Sequence, residues 1–139
     1  MYIEKDDYKA VCTDYEFGQL EADDYRCPAE ASALETIASY TRHRYDIDAE
    51  FAKSGSERNA MLVQVAVNIA LWLMIHRMPQ KMGHDRRECL YQESIAWLKD
   101  VQSSKASPSL PTYTSEDGSE EDLRNPVKWG SQEPTSTMW

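Results

Sequence analysis

Ala60-Met61-Leu62-Val63-Gln64-Val65-Ala66-Val67-Asn68-Ile69-Ala70-Leu71-Trp72-Leu73-Met74-Ile75 is the most apolar stretch of the chain, and its character decides the fold class. Near 16 residues, it falls short of the ~18–20 that a membrane-spanning helix needs. Gln64 and Asn68 interrupt it four residues apart, on one stripe of a helix. A helix that is apolar nearly all round must be covered on every side, so it belongs at the centre of a bundle or between its own domain and a neighbour. Upstream, Ser54-Gly55-Ser56-Glu57 has the spacing of a capping box and predicts the start of this helix. Downstream, His76-Arg77 places basic groups at its negative end, and Pro79 and Gly83 break the chain.

Working outward, Pro28 suits a first helical position, where its missing N–H costs nothing. Glu30 in the first turn complements the helix dipole. Ala31, Leu34, Ala38, Thr41 and Tyr45, with Ile37 beside them, repeat at helical spacing and predict a helix of about 16 residues. Tyr8, Val11, Cys12 and Tyr15 give a shorter apolar stripe near the start. Leu90, Ser94, Trp97, Leu98 and Val101 give a last helix, headed by Asp85-x-x-Glu88 and fading near Ser103-Ser104. From Ala106 onward no stripe survives. Pro108, Pro111, Pro126 and Pro134 are spread among Ser, Thr and acidic residues, a composition that cannot offset its own ordering entropy. The expected architecture is therefore all-α. A small bundle of about four helices over residues 1–105 carries an extended tail over 106–139 that orders on a partner. Leu110, Tyr113, Leu123, Val127, Trp129 and Trp139 stand in that polar tail as isolated anchors for a partner's pockets.

The chain has 139 residues, 41% of them hydrophobic, enough for one domain of ordinary size. Its 15 basic and 24 acidic residues leave a net charge of −9. That balance argues against a general nucleic-acid binder, which needs cations to displace counterions from phosphate, and against a protein held on an anionic membrane. The charge is uneven. Met1 to Cys27 carries three basic and eight acidic side chains, Ser56 to Lys105 seven and five, and Ala106 to Trp139 two and six. A near-neutral middle is flanked by acidic ends.

No catalytic signature is legible. His43, His76 and His84 form no metal-binding spacing with each other or with a cysteine. The carboxylate pairs Asp6/Asp7, Asp23/Asp24 and Glu120/Glu121 sit in charge-rich segments, where strong pKa shifts are not expected. Five glycines supply no phosphate-cradling loop. Cys12, Cys27 and Cys89 are odd in number, lack C-x-x-C spacing and follow no secretory signal, which suits reduced thiols in a cytoplasmic setting. No cofactor is expected. The aromatic and cationic run Tyr40-Thr41-Arg42-His43-Arg44-Tyr45 has the composition of a nucleic-acid patch. With Asp46, Asp48 and Glu50 next to it, a structural role fits better: Arg44 satisfying helix-end carbonyls and Tyr45 closing the core.

Taken in order, Met1-Tyr2-Ile3, the Asp7-Tyr8 helix, Tyr40-x-x-x-Arg44-Tyr45, Ile69-Ala70-Leu71-Trp72-Leu73 leading into His76-Arg77, Tyr91, Trp97-Leu98-Lys99, Lys105 and Leu110-Pro111 resemble a family of small proteins of Mu-like prophages and tailed phages, similar to head–tail adaptor (connector) proteins. The match runs over residues 1–111. It departs from the family after Tyr45, where Asp46-Ile47 stands in place of Leu-Pro, and at Ser104, where the family often has Gly. The resemblance implies a structural protein of the virion neck, made in the bacterial cytoplasm. Twelve copies are expected to form a ring beneath the portal protein, with a tail or stopper protein docking below and DNA passing through the lumen without specific binding. Leu62, Val65, Ile69, Trp72, Trp97 and Leu98 then serve as core or inter-subunit residues, and the C-terminal segment reaches the portal. An acidic lumen would let DNA slide, with Asp23, Asp24, Asp46, Asp48 and Glu50 as the expected lumen-facing acids. Two other classes stay open: a small regulatory module that binds a protein through its C-terminal tail, and a metal-dependent nuclease, which would need several of these acids to converge.

Overall fold

The computed structural model describes residues 2–13, 17–18, 23–75 and 83–113, and the account below is confined to them. The fold is an all-α bundle of four helices. They are α1 (Asp23–Thr41), α2 (Ile47–Phe51), α3 (Ala60–Leu73) and α4 (His84–Gln102). Two 3₁₀ segments, Lys5–Ala10 and Gly55–Glu57, precede α1 and α3. The one β feature among the described residues is an isolated antiparallel bridge between Tyr45 and Thr112.

α3 is the axis of the bundle. It packs against α1, α4 and the Lys5–Ala10 segment. From Val65 to Leu71 every side chain is buried. Burying a Val, Leu or Ile stabilises by roughly 1.5–3 kcal/mol, so this helix supplies much of the core. Its solvent-facing side chains are Ala60, Met61, Gln64 and Leu73. Asn68 enters the apolar seam by donating from Nδ2 to Ser94 Oγ of α4 at 3.4 Å, and the same two helices share a Trp72–Tyr91 ring stack with 5.5 Å between centroids.

α3 begins later than the Ser54–Glu57 spacing predicts. Ser54 makes no side-chain cap bond, and Gly55, at φ +60°, opens a separate 3₁₀ turn. The cap is Asn59, whose Oδ1 accepts from Leu62 N at 3.0 Å. The helix starts where its apolar face meets the core, and the residues before it turn to follow the surface.

α1 begins five residues before Pro28, which lies inside it. The proline forfeits one backbone hydrogen bond near the start. Acidic residues at 23 and 24 suit that end, and the buried Arg26–Glu30 pair, four residues apart, spans the proline. The buried face runs through Arg26, Glu30, Ala33, Ile37 and Thr41, with Ala29 and Ala38 beside it, while Ala31 is exposed. The stripe expected from Ala31 and Leu34 is thus displaced, because two charged residues occupy the buried face.

α4 opens on Gly83 at φ +70° without a side-chain cap, so Asp85 and Glu88 do not start it as expected. Arg87, Ser94, Leu98 and Val101 form its buried face. After α4 the chain wraps back, with Lys105 N and Ala106 N both donating to Asp100 O. Residues 106–113, assigned to the tail on composition, instead lie on the body. Leu110 is buried in the core. Asp46 N donates to Pro111 O at 2.8 Å, Asn59 Nδ2 to Ser109 O at 3.1 Å, and Tyr113 Oη to Arg42 O at 2.8 Å. Two prolines and two serines in a polar run concealed this from composition, because its backbone groups, rather than its side chains, make most of the attachments. Tyr15, His76, Arg77 and Pro79 lie outside the described residues.

Candidate functional site

The N-terminal segment and the loop between α2 and α3 meet in a buried polar cluster. Tyr2 and Ile3 precede the 3₁₀ segment and are 2% exposed, and Tyr8 within it is fully buried. Tyr8 Oη donates to Glu30 Oε1 at 2.7 Å, and Arg26 Nη1 reaches the same oxygen at 2.8 Å. Tyr2 Oη donates to Glu50 Oε1 at 2.8 Å, which also accepts from Asn59 N at 2.6 Å. Lys53 Nζ stands 3.0 Å from Glu50 Oε2. Neither carboxylate is exposed, and the Oε2 atom of each has no aligned hydrogen-bond donor among the described residues.

Arg58 joins these parts. Its Nη1 donates to Tyr2 O at 2.8 Å and Asp7 Oδ2 at 2.6 Å, its Nη2 to Asp7 Oδ1 at 3.0 Å, and its Nε to Gly55 O at 2.8 Å. The forked pair with Asp7 is the geometry that makes arginine effective against carboxylate. That hydrogen bond, first, and the nearby acids Asp7 and Glu4 raise the Arg58 pKa. Burial, and then the hydrogen bond to a carboxylate, push the Tyr2 and Tyr8 hydroxyls well above the ordinary tyrosine range. Both therefore act as fixed proton donors. A groove of about 630 Å³ runs between the 3₁₀ segment and α3, with Asp6 and Val11 on one wall and Val63, Gln64 and Val67 on the other.

The residues expected at a lumen separate. Asp24 and Asp48 are exposed. Asp46 caps α2, its Oδ1 accepting from Ala49 N at 3.3 Å. Glu50 is a correction: it is wholly buried, because two donors, Tyr2 Oη and Asn59 N, draw it inward. The side chain of Asp23 lies outside the described residues. Of the core or inter-subunit residues, Leu62, Val65, Ile69 and Leu98 are at most 1% exposed, so they are spent inside one chain and face no neighbour. Trp72 and Trp97 are half-buried.

The Tyr40–Tyr45 corner ties α1 to the end of α4. Arg44 Nη1 donates to Val101 O at 3.3 Å and Ser104 Oγ at 2.7 Å, and its guanidinium lies 5.2 Å from the Tyr45 ring centre. Arg44 thus reaches one carbonyl of α4 and a hydroxyl just past its end, rather than the carbonyls of its own helix. Tyr45 is buried and Tyr40 half-buried against the core. Of the expected anchors, Leu110 and Tyr113 are engaged on the body, and Leu123, Val127, Trp129 and Trp139 lie outside the described residues.

Sequence reasoning missed the Tyr2, Tyr8, Glu30, Glu50 and Arg58 cluster. The Arg26–Glu30 spacing was a usable signal; nothing local marks Tyr2 or Glu50 as partners 48 residues apart. Cys12 is buried, Cys27 half-buried and Cys89 exposed. Among the described residues no three His, Cys, Asp or Glu side chains converge to hold a metal ion, and no helix is long and apolar enough to cross a membrane. No family model, curated protein or solved structure matches the chain.

Proposed function

We propose that the protein is a structural component of a phage virion neck, a head–tail adaptor that assembles as a ring between the portal and the tail or stopper. One observation carries this reading. The short motifs that resemble the adaptor family are contact partners in three dimensions. Arg44 reaches the end of the helix that holds Trp97-Leu98-Lys99, and Tyr45 pairs with the residue after Leu110-Pro111. A spacing pattern whose members support one another is a folding unit rather than a chance run of residues.

The inter-subunit surface in this reading comes from side chains outside the core: exposed Met61 and Leu73, half-buried Trp72 and Trp97, and the acids Asp24, Asp46 and Asp48. A ring multiplies moderate contacts through its closed symmetry. A lumen wall bearing carboxylates does not grip phosphate, so DNA passes without being held. The portal contact falls to residues 114–139, which hold the expected anchors Leu123, Val127, Trp129 and Trp139. Co-sedimentation with purified portal rings tests the assignment. The full chain is expected to pellet with the portal, and a chain ending at Tyr113 to stay in solution. Failure of the full chain to bind, or equal binding by both, would count against it.

A further inference from the structure

We propose that residues 106–113 are a hinged strap, and that its seating on the body is coupled through Glu50 and Asn59 to the seating of Tyr2 and the N-terminal segment. The coupling belongs to the isolated chain and does not depend on the adaptor reading.

The hinge is Ser104. It stops α4 with Ser104 N donating to Val101 O at 3.2 Å and Lys105 N to Asp100 O at 2.8 Å, the paired bonds of a helix end that ordinarily takes glycine. Ser104 sits at φ +69°, where a side chain costs free energy. Arg44 Nη1 holds it there from outside the helix, donating to Ser104 Oγ at 2.7 Å and to Val101 O at 3.3 Å. Beyond the hinge the strap has little structure of its own. Among the described residues, one backbone hydrogen bond closes within it, Leu110 N to Pro108 O at 3.0 Å. The strap is therefore seated by what it touches on the body: the pocket around Leu110, Asp46 N on Pro111 O and Asn59 Nδ2 on Ser109 O.

Both of those polar contacts lead to Glu50. Asp46 caps α2, and α2 carries Glu50. Asn59 donates its backbone N to Glu50 Oε1 at 2.6 Å, while its side chain is committed at both ends, Nδ2 to the strap and Oδ1 to Leu62 N. The same Glu50 oxygen accepts from Tyr2 Oη at 2.8 Å. Arg58, next to Asn59, holds Tyr2 O and Asp7. Residues 46–59 are thus gripped by the strap on one side and by the N-terminal segment on the other. Each grip orders residues that the other also uses, so each lowers the ordering cost of the other, and the effect is reciprocal. Residues 114–139 continue from Tyr113, so a partner that draws on them acts on the strap first, and the N-terminal segment registers it.

Native-state hydrogen exchange of the full chain, read by NMR, tests this. The Asp46 amide, bonded to the strap, is expected to exchange about tenfold or more faster than the amides of residues 65–71, because the strap lifts without global unfolding. Tyr2→Phe removes a hydroxyl that makes no bond to the strap or to Asp46. It is nevertheless expected to speed the Asp46 amide about threefold or more. Asn59→Ser keeps a capping oxygen and loses the amide donor to Ser109 O, and should speed the Asp46 amide by at least as much. Ile69→Val, in the middle of α3 and outside these contacts, should leave that amide unchanged. Exchange of Asp46 in step with residues 65–71 would overturn the proposal. So would an Asp46 amide indifferent to Tyr2→Phe or to Asn59→Ser, or one that Ile69→Val speeds as much as they do.

Discussion

Tyr8 has no exposed surface, and its hydroxyl makes a hydrogen bond to a carboxylate that is itself wholly buried. Removing that donor with Tyr8→Phe leaves Glu30 Oε1 to Arg26 alone, which should cost about 1–3 kcal/mol of stability, read as a lower urea midpoint at pH 7. The same hydroxyl sets an alkaline limit. Its folded pKa is raised by burial and then by Glu30, as that of Tyr2 is by burial and then by Glu50. A group with a raised folded pKa holds its proton more tightly in the native state. Its stabilisation is complete below the unfolded value, near 10 for tyrosine, and is lost as pH rises above that value toward the folded one. Urea midpoints should therefore fall steeply between about pH 10 and 11, and the slope should lessen in Tyr8→Phe. A midpoint flat across that interval would show that the hydroxyls titrate normally.

At the scale of elements, the centre of the fold was legible and its edges were not. The run from Ala60 to Ile75 announced a central helix, and α3 is one: it is buried from Val65 to Leu71, with Met61, Gln64 and Leu73 left in solvent. The last helix and the core position of Tyr45 were equally readable, since apolar spacing is a local signal, whereas the Arg44 contact with the end of α4, 57 residues away, was not. The start of α1 was hidden, because its buried face carries Arg26 and Glu30, which satisfy each other only once tertiary burial is known. The cap of α3 was misassigned for a related reason: Ser54 and Asn59 are both good N-caps by residue type, and only packing selects between them. Alanine at each separates the two. Asn59→Ala should lower stability by about 0.5–2 kcal/mol, whereas Ser54→Ala, which removes no cap bond, should leave the urea midpoint nearly unchanged. Equal effects would mean that the capping box forms after all.

Across the whole molecule, the body takes in residues 106–113, past the boundary expected at Lys105. Residues 106–113 bury Leu110 and satisfy Asp46 N, Asn59 Nδ2 and the Arg42 carbonyl. Proline-rich composition could not reveal this, since a polar segment without a stripe reads alike whether it lies on a surface or not. A chain ending at Tyr113 should keep the urea midpoint and far-UV helicity of the full chain. One ending at Lys105 should lose several hydrogen bonds and a core leucine, with a drop of roughly 2–5 kcal/mol led by the loss of Leu110. Indistinguishable stabilities for the two would return the boundary to Lys105.

The acidic balance takes on a narrower meaning with the fold in view. Of the five acids expected at a lumen, Glu50 has been taken into the core, Asp46 caps a helix, Asp24 and Asp48 are exposed, and the side chain of Asp23 lies outside the described residues. The adaptor reading thus rests on assembly more than on a prearranged ring of charge. Light scattering of the purified chain at increasing concentration, alone and with portal rings, addresses assembly most directly. The proposed function predicts a closed oligomer of uniform mass, many times that of one chain, that forms on or is stabilised by the portal. A chain that stays a monomer at every concentration and ignores the portal would contradict it.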